Sequence, residues 1–296
     1  MDTPLGIVGG LGAGLCWATT SILVGSLSDT LSPGTLNALR SLTGGGLLLS
    51  LCLFRGEVGE LLATPLWALL LFWASIVLGQ VIGDTLFFKS IGYLGVTSAL
   101  TIGIANPILT ALAGMLFFSE VAHVSHGIGI GLVIVGVFWI IREGGEKRLQ
   151  PLGARQFNRG LCLGGVAALT WAASALLLKA PLRIVPAVTA TAVRLPVGGL
   201  TLLLTPWTRG AWGEVARGLR MEPLRMTAIC VLGAVGPLAY TVGIKHGGVA
   251  LGGALSTTAP LFGVLLELCC FGKWPSRQTI IGAAVTVLGI LVLRIP

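Results

Sequence analysis

Charged side chains are scarce in this chain, and those set inside long apolar runs are where chemistry would happen. Asp84 stands mid-run in LGQVIGDTLFFKSIGYLG, with Gln80 one turn before it and Lys89 five residues after. A carboxylate there suits proton coupling, because it can gain and lose a proton where water is scarce. The alternative is a static pair with Arg40, Arg194 or Lys89 that ties helices together. Arg40 lies seven residues past Pro33, roughly 10 Å into its run by the helical rise, and Arg194 occupies the corresponding place in a later run. Two cations lining a cavity would attract a carboxylate or phosphate. As scaffold, they would cap helix C-termini or pair with Asp84. An ionisable group at a helix centre costs about 2.5–3.5 kcal/mol on insertion scales, so all three are functional candidates.

Around them stand groups able to bind a small molecule. Trp17 and Trp171 sit near the middle of their runs, away from the interfacial positions that membrane tryptophans favour, so each either packs or offers a stacking face. Asn37, Asn106, Tyr240, Thr257 and Thr258 are polar groups that could line the same space. The substrate-contact candidates are therefore Trp17, Asn37, Arg40, Asn106, Trp171, Arg194, Tyr240, Thr257 and Thr258, with Asp84 as the proton-coupling candidate. Glu267, in LLELCC, reads as a snorkelling acid or a cavity group, and Glu120 reads as a helix cap. His123 and His126 lack a third ligand, His246 ends another run, and the six Cys have no metal-ligand spacing. No zinc-protease, P-loop or nucleophile-elbow pattern is present. No metal or cofactor is expected.

The elements that must position these residues follow from composition. Hydrophobic residues make up 54% of the 296 and charged ones 10%, against about 25% charged in a soluble domain. The solvent is lipid. A net charge of +8 then reads as orientation by an anionic leaflet, not as nucleic-acid binding. The 44 Gly allow close helix approach, and Gly6, Gly10 and Gly14 form a GxxxG ladder. A span needs about 20 apolar residues, and ten candidates appear: 4–26, 33–54, 66–90, 95–118, 123–142, 160–180, 184–206, 226–246, 249–271 and 277–295. The first reads as a spanning helix and not as a signal peptide. Pro107, Pro237 and Pro260 each free a backbone carbonyl, which is tolerated at membrane depth only against protein or a wet cavity. Segment 205–225, with Trp207, Trp212 and four Arg, suits an interfacial helix.

The second half repeats the first. A shift of 153 places Gly95 on Gly248, Pro107 on Pro260, Gly129 on Gly282 and Gly136 on Gly289, and a shift of 154 places Trp17 on Trp171 and Arg40 on Arg194. Asp84 has no counterpart, since Pro237 holds its place. Five helices per unit is odd, so the second copy must run upside down. The expectation is an all-α integral membrane protein of ten transmembrane helices in two inverted five-helix repeats, 1–142 and 160–296, joined by a polar linker at 143–159. Twelve Lys and Arg fall on one side and five on the other, which places both termini outside by the positive-inside rule.

The chain resembles the EamA family of the drug/metabolite transporter superfamily over essentially its whole length. The likeness rests on Trp17 and Trp171 in the first helix of each unit and Arg40 and Arg194 in the second. It also rests on the small-residue fourth helix with its Asn106-Pro107 or Ala259-Pro260, and on the turn Phe118, Ser119 and Glu120 before a Gly-spaced fifth helix. Lys273 replaces the turn glutamate in the second unit. The resemblance implies secondary transport of small metabolites across the inner or plasma membrane, often outward and without ATP. The expected partners are a small molecule, anionic or amino-acid-like, with protons and membrane lipid, and ten helices suffice for a monomer, though a dimer fits as well. An enzyme acting on a lipid-like substrate and a non-transporting scaffold are the alternatives. The absence of a catalytic pair speaks against the enzyme.

Overall fold

The computed structural model describes residues 3–27, 29–103, 106, 109, 124–146, 154–271, 274 and 276–292. All regular structure among them is helical. The apolar runs set the helices, and Pro, Ser and Gly set their ends. Helix α1 covers Thr3–Leu27 and α2 covers Pro33–Phe54. The start of α2 is fixed by Pro33 in the first turn and by Ser32, whose Oγ accepts the Thr35 amide at 3.4 Å, an arrangement that satisfies an otherwise unpaired N–H. It ends at Arg55, after which Gly56 takes φ 71°, the left-handed conformation that glycine reaches without strain. A short α3 (Val58–Leu62) leads to α4 (Leu66–Ile76), a π-helical segment (Val77–Asp84) and α5 (Thr85–Gly103), which follow one another directly, and Leu66–Leu94 is long and apolar enough to make one span.

The second stretch is α6 (Val124–Glu146), α7 (Ala154–Lys179), α8 (Ala187–Leu203), α9 (Ala211–Met221), α10 (Pro223–Ser256), α11 (Ala259–Phe271) and α12 (Arg277–Val292). Two expected spans differ in form. The join between the eighth and ninth runs is a kink inside α10 at Gly248, whose φ of 79° and ψ of 172° few other residues adopt. The ninth run is itself broken by a turn at Thr257 and Thr258, after which α11 restarts. The 95–118 span lies largely outside the described residues, as do Pro107, Glu120, His123 and Lys273. Helices α6 and α7 also reach into the expected linker, because Arg155, Gln156 and Asn158 extend α7 as an exposed polar turn.

Among the described residues, five helices are long and apolar enough to cross a membrane, and six if the pair 187–203 and 206–221, bent by 83°, counts as one. Only the described residues enter that count, and the expected span 95–118 lies largely outside them, as do the residues that directly follow α11 and α12. Beyond the bend, α9 presents Trp212, Leu219, Arg217 and Arg220 outward. It is tied to α2 through Glu214, whose carboxylate accepts the Ser32 amide at 2.8 Å.

Packing is reciprocal between the two stretches. Helix α1 lies along α10 and α11, while α7, its repeat counterpart, lies along α4, the π segment and α5. Helix α2 packs on α8 and α6 on α12. Corresponding glycines make corresponding contacts. A Cβ on Gly136 would meet the Gly282 carbonyl at 2.5 Å, and one on Gly289 would meet the Gly129 carbonyl at 2.8 Å. In lipid, where no hydrophobic drive holds helices together, such close backbone contact supplies the attraction. Leu47, Phe54, Leu70, Trp73 and Leu169 face outward, as a surface bathed in hydrocarbon requires.

The seam between α1 and α10 gives a direct test. A Cβ on Gly9 would lie 2.5 Å from the Gly243 nitrogen, whereas one on Gly46 meets nothing within 4 Å. Gly9→Ile is expected to destabilise by about 1–3 kcal/mol or more through overpacking. Gly46→Ala is expected to be neutral or slightly stabilising through helix propensity. Thermal unfolding of the purified protein in detergent reads both, and equal melting temperatures for the two variants would refute the seam.

Candidate functional site

The π segment decides where Asp84 points. Its wider turn leaves the Gln80 carbonyl to accept the Asn37 side-chain amide from α2, and Asn37 Nδ2 also reaches Thr85 Oγ1 at 3.2 Å. Gln80 Nε2 in turn donates to Ser41 Oγ at 2.6 Å. This fully buried lattice between α2 and the π segment places Asp84 beside Arg40. Single-turn π bulges of this kind are common at functional sites.

Asp84 is held from two elements. Its Oδ2 accepts from Arg40 Nη2 in an ion pair, and its Oδ1 accepts from Trp171 Nε1 at 2.8 Å. Arg40 also donates from Nε to Asn37 Oδ1 at 3.2 Å, and its guanidinium lies 5.7 Å from the centre of the Phe88 ring. Trp171 can approach because Gly83 has no side chain: a Cβ there would lie 2.7 Å from the indole nitrogen. Lys89, the other expected partner of Asp84, sits instead over the Trp207 ring at 4.5 Å.

Arg194 is in a different position. It is 5% exposed, donates from Nη2 to Ser75 Oγ at 2.9 Å and from Nη1 to Thr241 Oγ1 at 3.5 Å, and its Nε has no partner. Among the described residues no carboxylate pairs with it. Ser75 is anchored across the protein by Ser174, each hydroxyl reaching the other residue's carbonyl at 2.8 and 2.7 Å.

These groups surround one cavity of about 150 Å³, lined from α1, α2, the segment from α4 to α5, α7, α8, α10 and α11. Of the residues singled out from the sequence, Trp17, Arg40, Asn106, Trp171, Arg194, Tyr240 and Thr257 line it, together with Asp84. Trp17 and Tyr240 form a tilted pair 5.3 Å apart, and Trp171 packs on Phe87 at 5.0 Å. Two candidates are placed elsewhere. Asn37 stands behind Arg40 and orients it. Thr258 is fully enclosed, its hydroxyl spent on the Leu255 carbonyl at 2.7 Å and pressed against Gly14. The cavity also takes in Thr20, Ser21, Gln80, Phe87, Phe88, Ser174 and Ser256, which were not among the sequence candidates. Helical spacing offered a signal for some of them. Thr20 and Ser174 lie three residues after Trp17 and Trp171 and so share their faces.

The Arg40–Asp84 pair predicts a non-additive stability pattern. Arg40→Gln alone leaves a buried carboxylate without its cation, expected to cost about 3–5 kcal/mol. Adding Asp84→Asn removes that charge and should recover most of the loss. Thermal unfolding of the single and double variants measures it, and a double variant no more stable than Arg40→Gln would show that the two charges are not coupled.

The EamA-like transporter family matches residues 4–142 and 158–295. The chain belongs to that family, within the drug/metabolite transporter superfamily. No curated protein matches it. A solved crystal structure is similar at 22% identity over 98% of this chain and 96% of its own length, with a TM-score of 0.74, a likeness in fold.

Proposed function

We propose that this EamA-family protein is a secondary transporter that works by alternating access. The observation that carries the reading is the cavity itself. It holds two buried arginines, a part-buried carboxylate and two tryptophans, and it is walled by both family-matched stretches, so movement of one stretch against the other would expose it to one side and then the other. The reciprocal pairing of α1 with α10 and α7 with α5, and of corresponding glycines across α6 and α12, supports two five-helix units of opposite orientation. Ten spans would then place the cavity near the bilayer midplane. The protein sits in the cell's inner or plasma membrane with both termini outside. It moves a small anionic or amino-acid-like metabolite outward, and a single copy of the chain suffices. The amphipathic α9 rests on the membrane surface with its Arg side chains toward anionic headgroups.

Asp84 is the coupling group in this reading. Its carboxylate links α2 to α7 through Arg40 and Trp171, so it ties the two units together. Protonation removes the charge that holds both partners, which loosens the link on the side that must open. A proton moving one way and the metabolite the other gives accumulation without ATP.

Counterflow in proteoliposomes tests this with labelled amino acids, nucleotides and organic acids. One of these classes is expected to exchange in the wild type. Asp84→Asn is expected to keep exchange, since exchange needs no net proton movement, and to lose accumulation driven by a pH gradient. Loss of neither would remove Asp84 from coupling. Turnover of a lipid-like compound in detergent, with no exchange across the panel, would replace the carrier with an enzyme.

A further inference from the structure

We infer that the substrate carries a single carboxylate and that Arg194, not Arg40, receives it. This deepens the carrier reading and rests on it. The two arginines occupy matching places in the repeat, yet their surroundings differ. Arg40 is neutralised by Asp84. The position that would carry the matching acid beside Arg194 holds Pro237, and both Pro237 and Arg194 line the cavity. Among the described residues that line it, two guanidiniums stand against one carboxylate, so one positive charge has no anion among them.

A buried charge is costly until it is paired, and Arg194 is 5% exposed with only two hydroxyls on its guanidinium and its Nε unpartnered. Ser75, fixed by its exchange of hydrogen bonds with Ser174, holds the guanidinium in place. The site is therefore built for an anion that arrives with the ligand. One spare positive charge fits one negative one. A phosphate monoester, mostly a dianion near neutrality, would need Arg40 as well, and Arg40 is already engaged. The remaining wall supplies the rest of the specificity. Trp17 and Tyr240, 5.3 Å apart, and the Phe87–Trp171 pair add ring surfaces to the same cavity. The ligand class is a small monocarboxylate with an apolar, preferably flat, body.

The test uses the full-length protein in detergent, with calorimetric binding of benzoate, phenylacetate and isovalerate against their neutral amides and against phenyl phosphate. At least one acid is expected to bind roughly tenfold or more tightly than its amide, as one charged hydrogen-bonded contact implies, and phenyl phosphate is expected to bind more weakly than that acid. Arg194→Gln should erase the acid preference. Pro237→Asp, which supplies the absent carboxylate in the protein itself, should erase it too, and this second variant keeps the test sharp if the first fails to fold. No acid–amide difference across the panel, absence of binding by any acid included, overturns the proposal, as does a preference that survives Pro237→Asp. Acid-selective binding without counterflow would overturn the carrier and leave the subsite. Counterflow of neutral solutes with no acid preference would do the reverse.

Discussion

The structure turns on one ion pair. A charge placed among apolar helices is costly unless a counter-charge and enough hydrogen bonds meet it, and Arg40 and Asp84 meet each other with Asn37 and Trp171 completing the shell. The four partners come from three elements: Arg40 and Asn37 from α2, Asp84 from the π segment, Trp171 from α7. The pair therefore constrains how those three elements sit. The π turn gives up regular hydrogen bonding, and the Asn37 amide compensates it at the Gln80 carbonyl. Gly83 leaves room for the indole. A local distortion and a distant side chain are thus one arrangement.

The rest of the fold supplies a frame stiff enough to hold that arrangement. Its helices meet backbone to backbone wherever glycine allows it, along α1 and α10, α2 and α8, and α6 and α12. Because lipid tails are as apolar as the side chains, contact distance and not water exclusion sets the attraction. One break in the frame falls beside the cavity. The turn at Thr257 and Thr258 interrupts the ninth run where Thr257 lines the cavity, in keeping with non-helical backbone being tolerated only against protein or a wet space.

Duplication built two similar halves, and divergence made them chemically unequal. Among the described residues, the arginine of the first half is paired with a carboxylate and that of the second is not, and proline stands where the matching acid would be. The tryptophans diverged in the same way: Trp171 donates to the carboxylate, while Trp17 packs on Tyr240. The walls of the cavity are therefore chemically unequal.

Much of this was legible from the residues in order. The apolar runs gave the helices, because a run of about twenty apolar residues satisfies its own backbone in lipid by being helical, and the run at 33–54 is α2 as observed. Ordered motifs over the whole length gave the family. The rarity of buried charge marked Asp84, Arg40 and Arg194. Sequence left three things open that tertiary contact decided. The π turn depends on an amide forty-three residues away, so no local pattern announces it. Asn37 and Thr258 are as polar as Asn106 and Thr257, and only the neighbouring helices determine which face the cavity and which are enclosed. Finally, the sequence presented two equivalent arginines and one acid. Which arginine the acid neutralises is a question of distance, and distance between segments far apart in the chain exists only in the folded protein.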